Sequence, residues 1–180
     1  MRELPRDSCG LSGVREQVAE ATDAPVILGF CDFILDGLGD LPLPDYAAID
    51  LMRVPRLTPH VFVHDYRAGW DRGMLVKFSG TVLDEHYGKV LQGHVVEDYY
   101  GGDDADRLFP LHYSALKARR PFLAKRSILF DAGGPAERFK QSTTLFFPCS
   151  SDGGDTIDFG IGATVYDSAQ EDEEPIYKLL

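Results

Sequence analysis

Positive charge is what this sequence lacks most: 18 Lys and Arg stand against 29 Asp and Glu, for a formal net charge of -11. A duplex nucleic-acid binder needs a dominant basic footprint to displace counterions from phosphates, so nucleic acid is excluded as the expected partner. The same acidic balance repels anionic membrane surfaces. Long apolar runs are missing too. The longest, residues 25–38, is interrupted by Gly29, Asp32 and Asp36 and is too short and too charged to span a bilayer. Cysteine is sparse. Cys9, Cys31 and Cys149 form no close pair in sequence, which argues against a disulfide framework and against a thiolate metal site. Residues 1–10 are polar and lack the apolar segment of a signal peptide, so the expected location is cytoplasmic. No nucleophile elbow, phosphate loop or His-Glu zinc helix occurs, and no catalytic residue and no metal ligand set is assigned.

What is present is an ordinary globular composition, 44% hydrophobic and 26% charged, sufficient for one domain with a sizeable core. There is no internal repeat. Leu11, Val14 and Val18 recur at helical spacing, and Val26, Phe30, Phe33 and Ile34 form a second stripe that Gly37 and Gly39 end. Asp50 is placed to cap a short turn. From Val61 the period changes. Residues 61–66 and 73–79 read as a hairpin, with Met74, Val76 and Phe78 alternating on one face. Short helical pieces follow, then a longer helix from Asp103 or Asp104 to Arg120 with Pro110 in its first turn or kinking it. Residues 122–131, 139–147 and 156–166 read as three strands joined by glycine-rich turns at 132–135 and 151–154.

Two strands, a helical crossover and three meandering strands imply an α+β fold with a five-stranded antiparallel sheet and helices on one face. Residues 1–49 form a helical extension, residues 50–167 the sheet domain, and residues 168–180 an acidic tail outside the core.

Particular residues carry a family resemblance. The run Asp50-Leu51-Met52-Arg53-Val54-Pro55-Arg56-Leu57-Thr58-Pro59-His60, the pair Gly80-Thr81 with Tyr87-Gly88-Lys89-Val90-Leu91-Gln92-Gly93, and Phe147-Pro148-Cys149-Ser150-Ser151-Asp152-Gly153-Gly154 together resemble a stand-alone bacterial PAS family of the alpha-proteobacterial type. The resemblance implies a sensory or docking module without catalytic chemistry. It would act on a separate signalling protein, and a small apolar ligand would lie in a core lined by Phe78, Tyr87, His112 and Phe147. It names no cofactor. His112 also raises the alternative of a haem-binding PAS sensor, since imidazole is the usual haem ligand. A small cone-shaped α+β enzyme or ligand carrier is the other alternative, marked by a His–Asp pair converging in a wet cavity.

Four further features invite a reading. The stripes of the first two helices suggest a homodimer interface. His60 and His64 share a strand face, but Asp65 points the other way and no third metal ligand is evident. Lys117, Arg119, Arg120, Lys125, Arg126, Arg138 and Lys140 oppose only Asp131 and Glu137, a basic surface that the acidic tail or an acidic partner would cover. Gly160 and Gly162 strip side chains from one face of the last strand, as close approach of another element requires.

Overall fold

The computed structural model describes residues 11, 13–100, 103–130, 138–168 and 174–180. Helix α1 (Val14–Ala21) and helix α2 (Pro25–Leu38) form an antiparallel pair. Pro25 occupies the first turn of α2, where a missing N–H costs nothing, and Gly39 follows its last residue with a positive φ of 55°. Exposed Arg15 on α1 reaches both Asp32 and Asp36 on α2. Three one-turn 3-10 segments lead to the sheet, and the Asp50 carboxylate accepts the Met52 N–H at 3.0 Å, as its capping position implies.

Strands β1 (Val61–Asp65) and β2 (Leu75–Ser79) make the hairpin, and α3 (Thr81–Tyr87) and α4 (Asp103–Ala118) form the crossover. Gly88 closes α3 in the left-handed region. Pro110 falls in the middle of α4, beyond its first turn, and cannot donate to the Asp106 carbonyl. Strands β3 (Phe122–Phe130), β4 (Arg138–Cys149) and β5 (Phe159–Ser168) form the meander. Strand β5 pairs with β4 on one side and β1 on the other, which welds hairpin and meander into one antiparallel sheet. The turn at 132–135, Cys9, and glycines 101 and 102 lie outside the described residues.

The sheet departs from the sequence reading in three ways. It has six strands, not five, in the order β2-β1-β5-β4-β3-β6. Strand β6 (Ile176–Leu179) comes from the segment read as a tail outside the core, and it pairs with β3 from Phe122↔Leu179 to Lys125↔Ile176. Ile176 and Leu180 pack on one sheet face and Tyr177 and Leu179 on the other, so the apolar end of the chain is covered on both sides. Leu180 is fully buried; its N–H donates to the Pro121 carbonyl at 2.8 Å, and Arg120 Nε donates to its carbonyl at 2.5 Å.

Second, helices cover both faces of the sheet. The apolar alternation of β5, Phe159, Ile161, Ala163 and Val165, packs under α1 and α2, where Val14, Val18, Ile27 and Phe30 are fully buried. Val14, Val18, Phe30 and Ile34 of the stripes that suggested a homodimer are buried within the chain, whereas Leu11, Val26 and Phe33 are partly exposed. Third, the β1–β2 register slips at Lys77: Val63 opposes Phe78 but His64 opposes Val76. That bulge turns Phe78 onto the α1–α2 side, away from Met74 and Val76.

The free edge of β2 is closed by residues 93–96, where Val76 N–H donates to His94 at 2.9 Å and Val96 N–H to Met74 at 3.0 Å. Among the described residues no helix is long and apolar enough to cross a membrane.

Strand β6 and Leu180 should contribute to stability. Leu180→Ala is expected to cost about 2–4 kcal/mol, a fall in melting temperature of roughly 5–15 °C for a chain of this size. A thermal scan of the variant superimposing on that of the parent would place this segment outside the fold.

Candidate functional site

The sheet face that meets α3 and α4 is organised in rows set by strand register. One row runs Phe122, Phe146, Gly162, Phe62; the next is Ala124, Thr144, Thr164; the third is Arg126, Ser142, Tyr166. Gly160 and Gly162 make the first row possible. A Cβ on Gly162 would lie 2.2 Å from Phe62 Cζ, and one on Gly160 would lie 2.3 Å from Phe146 Cζ. The element that approaches these glycines closely is thus a pair of rings from the neighbouring strands, neither a helix nor a ligand. Phe62 and Phe146 lie nearly parallel, 6.4 Å between centroids, as a floor across the sheet.

Beyond that floor the face turns polar, and a cleft opens under α3 and the segment before α4. Its walls are Phe62 and His64 of β1, Val76 and Ser79 of β2, Thr144 and Thr164, Arg126, and Tyr166. Opposite them stand Leu83, Tyr87, Leu91, Val96, Tyr99, Tyr100 and Leu108. Space for the centre of a water molecule amounts to about 70 Å³, enough for several waters or one small ring compound. The Thr144 and Thr164 hydroxyls bond each other at 2.9 Å. Asp84 accepts from Ser79 Oγ at 2.7 Å and from Leu91 N–H at 3.0 Å, which fixes the loop after α3 against β2. His86 stacks on Tyr166 at 3.8 Å.

Arg126 is only 5% exposed. It donates to the Tyr100 hydroxyl with its guanidinium over that ring, and its Nε has no partner. Burial lowers its pKa, opposed by the tyrosines around it. Arg126 is therefore not part of the expected basic surface: strand alternation places Phe122, Ala124 and Arg126 together on the inner face, whereas Lys125 points away from it. Beside it in register, buried Ser142 Oγ is likewise without a partner.

A second polar group adjoins the floor and reaches the cleft at His64. The Tyr66 hydroxyl bonds His112 Nε2 and, at 3.3 Å, His64 Nδ1, with all three residues buried. One histidine donates to the phenol oxygen and the phenol proton goes to the other, so the chain is satisfied with both rings neutral. Burial pushes His64 down to about 3 and holds His112 well below the ordinary value, with a smaller contribution from His64. His60 Nδ1 meets the Thr164 carbonyl at 3.1 Å, apart from this group. Among the described residues no three His, Cys, Asp or Glu side chains are placed to share a metal ion. Cys31 and Cys149 are buried free thiols, and burial pushes the Cys31 pKa up to about 11.

Of the four residues expected to line a ligand core, Tyr87 is on the wall of this cleft. His112 lies next to it, packed at 4.2 Å on Phe146, with its Nε2 directed at Tyr66. Phe78 and Phe147 face the other side. The bulge turns the first, and Phe147 is on the opposite pleat of β4 from Phe146, edge-on to Phe30 of α2 at 6.1 Å. Thr144, Thr164, Tyr166 and Arg126 went unassigned to the cleft. The signal for them is the glycine face of β5, which marks the inner pleat and carries Thr164 and Tyr166 onto it.

No family model matches this chain, and no curated protein matches it significantly.

Two outcomes follow from this geometry. Gly162→Ala should cost about 1–3 kcal/mol, because the Phe62 ring or the strand must move; denaturant titration measures it, and a neutral result would mean the rings do not lie where described. The histidines set a pH dependence. Unfolded histidine titrates near 6.5, well above the folded value of about 3 for His64. The unfolded chain therefore binds the extra protons below pH 6.5, and stability present above that pH is lost as it falls. The slope is up to about 1.4 kcal/mol per pH unit for each histidine. Urea unfolding at pH 7 and pH 5 should show the fall, and His112→Gln should shrink the difference. An equal loss in that variant would assign the effect to other groups.

Proposed function

We propose that the chain is a PAS-type sensory module that binds a small ligand in the cleft between the sheet and α3–α4 and acts by contact with a separate signalling protein. The observation that carries this reading is the architecture around the cleft. The β1–β2 hairpin, the α3–α4 crossover and the β3–β4–β5 meander stand in the order that the sequence resemblance implies. β5 joins the two halves, and the cleft lies under the crossover. The lining fits a binding site: mostly aromatic and aliphatic walls with a few convergent polar groups.

The other two readings find less support. His112 as a haem ligand would have to give up its bond to Tyr66 and leave a box formed by Phe122 and Phe146. Acid–base catalysis would call for a carboxylate on His64, which instead meets the Tyr66 hydroxyl. Among the described residues lining the cleft there is no Asp or Glu.

Ligand binding stabilises the folded state by mass action, about 2.7 kcal/mol at a hundredfold excess over Kd. A thermal-shift screen with small aromatic and heteroaromatic compounds should therefore find molecules that raise the melting temperature by several degrees. Thr164→Phe, which fills the cleft, should remove the shift while the variant remains folded by circular dichroism. A screen without a single shift, or shifts equal in Thr164→Phe, would sink the proposal.

A further inference from the structure

We propose, building on the reading of the cleft as a ligand site, that its ligand is a small aromatic monocarboxylate whose anion pairs with Arg126. A guanidinium cannot shed its proton at any ordinary pH, so an inward arginine is a fixed positive charge. Removing such a charge from water costs several kcal/mol unless a counterion and hydrogen bonds replace the solvent. Arg126 is nearly fully buried and has one hydrogen bond, to Tyr100. The ion pairs among the described residues are made by Arg15, Arg67 and Arg119, and no described carboxylate pairs with Arg126. Its unpartnered Nε lies on an edge of the guanidinium plane that offers two parallel N–H groups, the fork that a carboxylate fits with both oxygens.

A second donor stands beside it. Ser142 is opposite Arg126 in the β3–β4 register, so both side chains leave the same face of the sheet, and its buried hydroxyl has no partner. An unpartnered buried Nε–H on the cleft wall, with an unpartnered buried hydroxyl beside it in register, marks the place of an anion. The surroundings strengthen this. His86, stacked on Tyr166 at the same end, is pushed down by burial and then by the positive charges of Lys140 and Arg126. The remaining walls decide the rest of the ligand. Phe62, His64, Tyr87 and Tyr99 present ring faces and edges, and the space takes about one small ring. One guanidinium facing aromatic walls favours a planar monoanion over a phosphate dianion, whose second charge would be left without compensation.

The test is a titration of the full chain, labelled with nitrogen-15, followed through the amide signals of Tyr99, Tyr100 and Thr164. The probes are 4-hydroxybenzoate, its neutral isostere 4-hydroxybenzamide, and indole. The acid is expected to saturate with a Kd at least about tenfold below that of the amide. Arg126→Met should abolish that preference and melt at a higher temperature than the parent, because the uncompensated charge is gone. Arg126→Lys should keep a weaker preference for the acid. Equal binding of acid and amide overturns the assignment, as does an acid preference that survives in Arg126→Met. If indole moves the cleft signals and the acid does no better than the amide, the cleft reading stands and the anion does not. If none of the three probes moves them, this proposal is overturned, and the cleft reading falls with it if the thermal-shift screen is also blank. Should Arg126→Met fail to fold, the ratio of acid to amide affinity in the unaltered protein decides alone.

Discussion

The close approach of two phenylalanine rings to two glycines governs the inner half of this structure. With any side chain at Gly160 or Gly162, Phe146 and Phe62 could not lie across the sheet, because a Cβ there would stand 2.2–2.4 Å from their ring atoms. With glycine, the rings of β1 and β4 meet over β5 and form a floor. On one side of it Phe122, Tyr66 and His112 pack into a closed core. On the other the side chains stop short at Thr144 and Thr164, and the space they leave is the cleft. The outer pleat of the same strand carries Ile161 and Ala163, fully buried under the N-terminal helices. One strand therefore supplies the driving force for closing one face and the clearance for opening the other.

Two buried polar groups on that inner face show opposite solutions to desolvation. His64, Tyr66 and His112 satisfy one another in a chain, and burial keeps both imidazoles neutral, so no charge enters the core. Arg126 has no neutral form to retreat to. Its charge sits among tyrosines that provide a hydroxyl and π faces, and no described carboxylate pairs with it. A satisfied network rigidifies a core, whereas an incomplete one lowers the stability of the empty state. The two arrangements meet at His64, which bonds Tyr66 on the closed side and lines the cleft with Arg126 on the other.

The order of elements was legible because each rests on local signals. The change from helical to alternating period at Val61, the cap at Asp50 and the glycines after α3 each act within a few residues. What was hidden depends on pairs distant in sequence. The bulge at Lys77 flips Phe78, and it is set by how β1 and β2 align, which alternation within β2 cannot report. Residues 176–180 looked like the apolar tip of an acidic tail because their partner, the free edge of β3, is some fifty residues away. The stripes on α1 and α2 were correctly read as apolar, but a stripe does not say whether its cover is another chain or its own sheet. For the cleft, Tyr87 was found and Phe147 was named where its neighbour Phe146 faces inward. A one-residue error of that kind changes faces in a strand, since successive side chains point to opposite sides.

Net charge and the cleft pull in opposite directions on an anion, and distance decides between them. The excess of -11 is a sum over the whole chain, and in physiological salt a surface charge is largely screened beyond about 8 Å. A carboxylate that has reached Arg126 is some 3–4 Å from a single desolvated cation. At that range the attraction is on the order of 4 kcal/mol for an effective dielectric of 20. The acidic surface thus slows the approach of anions in general without removing the pairing of one that fits. It acts most strongly against polyanions, whose repulsion grows with each charge while the cleft offers one guanidinium. Size then selects among what remains, because the space between Thr164 and Tyr99 admits a small ring and little more. The proposed selectivity for a small planar monoanion needs no further device than this pairing of a repulsive exterior with one buried charge that no described carboxylate meets.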